Sequence, residues 1–324
     1  SDLRSRAPFA HPSCMIVGRG GAKRAAPPSS STSSSRSSSS SPPGWMGARA
    51  PSRGAVDLVG RRAQLLNTLE RVSSRLLSLE AEGPVNDVAP KSHARGIRVI
   101  IGTSAHAENA ALVERIMTMV NESYYESVKE LLNPRQTSYQ RLSRHEVIDR
   151  LEMGDAGIRA NRVLHIAYRG DILEPSSVVG CMSSTYQPLW TEEGCGHWGL
   201  LVVDKDCQGQ GIASVLVEAA ELRLAGVCHE IQIEYEYTPG HAYSERLSQW
   251  YEGSCGFKCM TGYGRRPGTQ FRKCRKPISG ELSRCGEVLR LRELRDVLTA
   301  ELAALPVCPA AAEDSDNPAE SASP

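Results

Sequence analysis

The sequence predicts a mixed α/β protein, a sheet accompanied by helices. Three observations carry that prediction. The apolar run Trp198-Gly199-Leu200-Leu201-Val202-Val203 passes through a glycine-bearing turn into a stretch with Leu216, Ala219, Ala220 and Leu222 to Ala225 on one helical face. Ile231 to Tyr237 alternates as a strand does, with Ile231, Ile233, Tyr235 and Tyr237 on one side. Between residues 97 and 277 strand-like and helix-like segments follow one another, with hairpins near each end, a pattern that calls for a mixed sheet.

The elements follow in order. Ile97-Arg98-Val99-Ile100-Ile101 is a first strand, followed by a helix from Glu108 through Tyr124. A second helix, Ser143 to Met153, opens on the capping box Ser143-x-x-Glu146, in which serine and glutamate satisfy each other's free backbone amides. Val163 to Tyr168 and Ser177 to Ser184 are strands flanking a Gly170-Asp171 turn, and Trp198 to Val203 is the central strand. Strands near Lys258 to Tyr263 and Gln270 to Lys276 complete the sheet.

Composition divides the rest. Residues 1–54 carry one acid, Asp2, against eight basic residues and include the serine run Ser29 to Ser41, so they cannot bury a core and are expected to be disordered. The same character fits an organelle transit peptide, and a chain that opens on Ser1 rather than Met is expected to lack its natural start. Residues 55–84 form an amphipathic helix: Leu58, Leu65, Val72 and Leu79 recur at sevenfold spacing with Leu69 and Leu76 between, until Gly83-Pro84 ends it. A second leucine helix spans 279–306, and an acidic, alanine- and serine-rich tail fills 307–324. The two leucine helices suit either packing on one another or pairing with a second copy in a homodimer.

The 324 residues hold 38 basic and 37 acidic side chains, a balance that gives no pull toward nucleic acid or membrane, and no run of eighteen apolar residues exists to span a bilayer. The ten cysteines show neither a CxxC pair nor zinc-ligand spacing, so they read as reduced thiols of an intracellular protein without metal. The compartment is cytoplasmic, or plastid or mitochondrial if the N-terminal segment is a transit peptide.

The turn between Val203 and the following helix carries the chemistry. Gly209 and Gly211 let the backbone bend and approach a ligand, and the helix beginning there directs unpaired N–H groups and the positive end of its dipole at the turn. A phosphate fits best. There is no GKS or GKT for a P-loop, and no third glycine with a downstream acid for a dinucleotide fold. Gln208-x-x-Gly211-x-Ala213 after a strand ending in Val203-Asp204 resembles the signature of the GNAT superfamily of acyl-CoA N-acyltransferases. A second segment supports the resemblance. Trp250-Tyr251-Glu252-Gly253-Ser254-Cys255-Gly256-Phe257 is similar to that family's last helix and its aromatic-Tyr-Glu-x-x-x-Gly-Phe ending.

The resemblance covers about 95–278 and implies a GNAT-like fold, with a mostly antiparallel central sheet flanked by helices, and acetyl transfer from acetyl-CoA to a primary amine of a small molecule or peptide, by direct attack in a ternary complex. It implies that Gln208, Gly209, Gln210, Gly211, Ile212, Ala213 and Ser214 hold the pyrophosphate, and that Leu201, Val202 and Val203 line the acyl arm, with a backbone N–H polarising the thioester. It also implies that Tyr251 protonates the departing thiolate and that His197, expected on the same strand face as Gly199, Leu201 and Val203, takes the amine's proton, with Glu193, Glu234 and Glu236 behind it. Asn121-x-x-Tyr124 resembles the Asn-x-x-Tyr that borders the acceptor pocket in many relatives. The alternative function is a GNAT-shaped CoA-binding scaffold without catalysis.

Overall fold

The computed structural model describes residues 53–82, 96–129, 139–264 and 267–306. Nearly all of the segment 1–54 and the whole of 307–324, where disorder is expected, lie outside the described residues. The described chain divides into two units, one within Ser73–Leu294 and the other made of 53–72 and 295–306. Helix α1 (Arg53–Ala81) and helix α7 (Gly280–Ala304) contribute residues to both. In the smaller unit Val72 and Leu298 are buried, and Leu58, Leu65 and Leu69 of the sevenfold pattern are half-buried.

The larger unit is built on a seven-stranded sheet in the order β1-β2-β3-β4-β5-β7-β6. The strands are β1 (Ile97–Ile101), β2 (Arg162–Arg169), β3 (Val178–Thr185), β4 (Cys195–Val203), β5 (Glu230–Tyr237), β6 (Lys258–Tyr263) and β7 (Gln270–Pro277). Every neighbouring pair is antiparallel except β4 and β5, whose parallel join requires the crossover through α5 (Ile212–Ala225). The helix expected from Glu108 is preceded by the single turn α2 (Ser104–Ala107). Its main part, α3 (Ala110–Val128), starts two residues late because Asn109 caps it, accepting from the Leu112 amide at 3.1 Å. Helix α4 (Arg144–Glu152) opens on the expected Ser143/Glu146 capping box. After α6 (Ala242–Ser248) the chain widens into a π turn, Gln249–Ser254, where the Cys255 amide donates to the Trp250 carbonyl five residues back at 2.8 Å.

Two cores lie on opposite faces of this sheet. On one, Leu112, Val113, Ile116, Val120 and Tyr124 of α3, with Val147 and Leu151 of α4, pack against Leu164, Ile166, Cys181, Leu200 and Val202. On the other, Ile212, Val215, Leu216, Ala220 and Leu224 of α5 pack against Met182, Trp198, Leu201, Val203 and Ile231. In the larger unit the end of α1 also meets α7: Leu76 and Leu79 bury against Val288, and Arg75 is paired with Glu287 at 2.8 Å.

Two expectations are corrected here. His197 does not share a face with Leu201 and Val203. Leu200 has φ of 50° and the β3–β4 register shifts between Cys181 and Ser183, so an extra residue enters β4 and reverses the alternation. Trp198, Leu201 and Val203 consequently reach one core, whereas Leu200 and Val202 reach the other. The cysteines are not all reduced: Cys259 and Cys274, register partners on β6 and β7, form a disulfide. Among the described residues Cys181, Cys195, Cys207, Cys228, Cys255 and Cys285 are free thiols.

Candidate active site

The β4–α5 turn sets one end of the site. Gly209 and Gly211 have φ of 76° and 78°, left-handed values that a residue with a Cβ adopts only under strain. Gly211 is the N-cap of α5, and no side chain caps the helix, which leaves its first-turn amides free for an anion. The turn is held from two directions. Asp204 accepts from the Asp206 amide at 2.9 Å and is ion-paired with Arg115 of α3, whose guanidinium also donates to the Val178 carbonyl at 3.0 Å. Burial alone would raise the Asp204 pKa, but the Arg115 and Asp206 hydrogen bonds hold its carboxyl below the usual range. Gln210 is hydrogen-bonded by Arg169 from the end of β2.

The turn opens on a cavity of about 1460 Å³. Gln208 and Gly209 line it at the turn, Met119, Glu122 and Ser127 from α3, and His241, Tyr243 and Arg246 from the start of α6. Of the family-like Asn121-Glu122-Ser123-Tyr124, Glu122 and Ser123 line the cavity while Tyr124 is fully buried. Asn121 is structural: it accepts from the amides of Arg141 and Leu142 at 2.7 and 2.9 Å, fixing the approach to α4.

β4 and β5 are register partners, among the described residues, at Cys195↔Glu230 and Gly196↔Ile231 alone, at the end of β4 away from the turn. From Trp198 onward their facing edges separate, which suits a narrow acyl arm. Leu201, Val202 and Val203 are buried here, whereas Gln208, Gly209, Gln210 and Ser214 are exposed. His197 is buried, and its Nδ1–H donates to the Gln232 carbonyl at 2.9 Å. A Cβ on Gly199 would sit 3.1 Å from His197 Nε2, so the glycine leaves room for the imidazole. Burial lowers the His197 pKa to about 4, against the Gln232 hydrogen bond, and the ring is neutral at neutral pH.

Tyr251 lies deeper. It is 1% exposed, on the π turn, with the rings of Trp198, Tyr235, Trp250 and Phe257 around it at centroid distances of 5.2 to 6.1 Å. Neither Tyr251 nor His197 is among the residues that line the cavity. Two that do, Arg115 and Tyr243, escaped the sequence reading. Arg115 carries no local signal, and Tyr243 is marked only by its place just after the insertion-like Thr238-Pro239-Gly240-His241.

Residues 122–247 match the model of the acetyltransferase (GNAT) family. That span is similar to a GNAT acetyltransferase domain. The matched span runs from the cavity wall on α3 through the Gly209/Gly211 turn to α6. Among curated proteins none matches the chain. Solved structures similar to it include a protein from Streptococcus mutans, 12% identical with a TM-score of 0.40, covering 56% of this chain and 99% of that one. The NatC complex bound to Gag peptide and CoA contains a similar chain, 19% identical with a TM-score of 0.38, again over 56% of this chain and 99% of that one. A GNAT-family acetyltransferase from Streptococcus pneumoniae is 16% identical with a TM-score of 0.38 over the same shares. Among the described residues no helix is long and apolar enough to cross a membrane.

Proposed function

We propose that the protein transfers an acetyl group from acetyl-CoA to a primary amine of a small molecule or peptide. The observation that carries this reading is the two left-handed glycines before an uncapped helix N-terminus, opening on a cavity large enough for the pantetheine arm and an acceptor. Bound acetyl-CoA supplies the activated acyl group. The residues of this chain fit it: the amides from Gly209 to Ser214 take the pyrophosphate, and the separated edge of β4 offers N–H groups to the thioester oxygen. His197 is neutral and keeps Nε2 as the proton-accepting nitrogen, because Nδ1 already donates to the Gln232 carbonyl. It receives the amine's proton through water, since the imidazole itself is buried.

The test is calorimetric titration of the full chain with acetyl-CoA, followed by thiol release against a panel of amines, polyamines, amino acids and peptides. Micromolar binding with release on at least one acceptor is expected. No acetyl-CoA binding overturns the proposal, and binding without release on any acceptor leaves only the scaffold function standing.

A further inference from the structure

We propose that the acceptor is an amine that also carries a carboxylate, an amino acid, and that Arg150 and Arg162 hold that carboxylate beside His197. This rests on the acetyl-CoA reading above. Arg162 opens β2, and Arg150 stands in the last turn of α4. Across the sheet Arg162 is the register partner of Thr185, and Thr185 is the register partner of His197. Register partners share a face, so the three residues form one row, with Arg162 and His197 two strand spacings apart, about 10 Å. This is the face that α3 and α4 cover, because Leu164 and Ile166, which alternate in step with Arg162, pack into the core of those helices.

Among the described residues neither Arg150 nor Arg162 donates a hydrogen bond or forms an ion pair, and Arg150 Nε is buried without a partner. Like charges surround it instead. Burial first, then Arg162 and Arg141, hold the Arg150 pKa down to about 10, against the pull of Glu146 and Asp149. Glu146 is committed to the α4 cap, where it accepts from the Ser143 amide and hydroxyl at 2.8 Å, and Asp149 is exposed. Arg162 also borders open space, a cavity of about 320 Å³. Guanidinium groups drawn out of water without an anion are costly, and a carboxylate that accepts from both forks removes the cost. Arg162 and Arg141 lie within electrostatic reach of His197 as well. On the other side of His197, which donates to the Gln232 carbonyl, Glu234 of β5 accepts from Gln232 Nε2 at 2.9 Å. Positive charge on one flank of the imidazole and negative charge on the other match a molecule with a carboxylate at one end and an amine at the other. A polyamine would set its own positive charge against the arginines.

The experiment measures thiol release by the full chain with acetyl-CoA on matched acceptors, each amino acid against its own carboxamide, with rates expressed per neutral amine. Wild type, Arg162→Gln, Arg162→Lys and Arg150→Gln are compared. Wild type should favour the acid over the amide by roughly ten- to a hundredfold in kcat/KM, as charge-assisted hydrogen bonds allow. In Arg162→Gln and Arg150→Gln the KM for the acid should rise by about tenfold, while kcat/KM for the amide stays within a few-fold of wild type. Arg162→Lys keeps the charge without the fork and should fall between. A merely structural role would lower both acceptors alike. Equal rates on acid and amide in wild type, a best acceptor without a carboxylate, or an unaltered preference in both glutamine variants overturns this inference alone. If wild type binds no acetyl-CoA, or releases no thiol with any acceptor, the acetyl-transfer reading fails first and this one with it.

Discussion

Gly286 of α7 lies against Gly226 at the end of α5 so closely that a Cβ built on Gly286 falls 2.7 Å from the Gly226 nitrogen and 2.8 Å from the Leu222 carbonyl oxygen. The reverse holds too, since a Cβ on Gly226 meets the Gly286 carbonyl at 2.9 Å. The obstacle is backbone on both sides, so no rotamer change relieves it. Gly286→Ala gains up to about 1 kcal/mol of helix propensity and loses roughly 1–3 kcal/mol to overpacking. The expected net effect in urea denaturation is destabilisation. A more stable alanine variant would mean that the two helices do not touch here.

At the β4–α5 turn, Gly211→Glu places a side chain and a negative charge where a phosphate should sit. Acetyl-CoA binding by calorimetry should disappear. Because Gly211 has φ of 78°, the substitution also strains the backbone by about 1–2 kcal/mol, so a modest loss of stability accompanies the loss of binding. Binding that survives would remove the turn from the site.

Two histidines buried among the described residues predict a pH-dependent stability. Burial, with Arg223 nearby, lowers His165 to about 3, and burial lowers His197 to about 4. Both pKa values lie below the unfolded value of about 6.5, so between there and pH 4 the unfolded chain binds protons that the folded chain refuses. Their contribution is intact above about pH 6.5 and lost as pH falls, by roughly 1.4 kcal/mol per pH unit for each histidine. His165 is held by Ser184 Oγ at 2.8 Å, so His165→Asn costs stability at every pH, yet it should flatten the acid slope of the urea midpoint. An unchanged slope would assign the acid sensitivity to other groups.

The Cys259–Cys274 disulfide closes a span of 15 residues between β6 and β7. Loop-closure entropy for such a span predicts that reduction lowers stability by about 3 kcal/mol. Cys259→Ser should reproduce the loss and abolish the effect of reductant on the melting temperature. Equal melting with and without reductant in wild type would contradict it.

The legible parts of this protein are those whose cause is local. The strand Trp198 to Val203, the Gly209/Gly211 turn and the alternating Ile231 to Tyr237 were readable because the side-chain period and the turn residues lie within a dozen positions of one another. The Ser143/Glu146 capping box was readable for the same reason. The bulge at Leu200 was not, because a leucine announces no left-handed backbone and the neighbouring strand's register imposes it.

The sequence by itself determined the class of the fold and the strand–turn–helix at Gly209 and Gly211, and it singled out Tyr251 and His197. The tertiary structure alone decided which of them stands where. It enclosed Tyr251 in aromatic rings, placed Tyr243 on the cavity wall, turned His197 away from the face of Leu201, and joined Cys259 to Cys274 across a strand pair. Each of these depends on which distant segment packs alongside. That choice is made by burial and backbone pairing summed over the whole sheet, which no local pattern encodes.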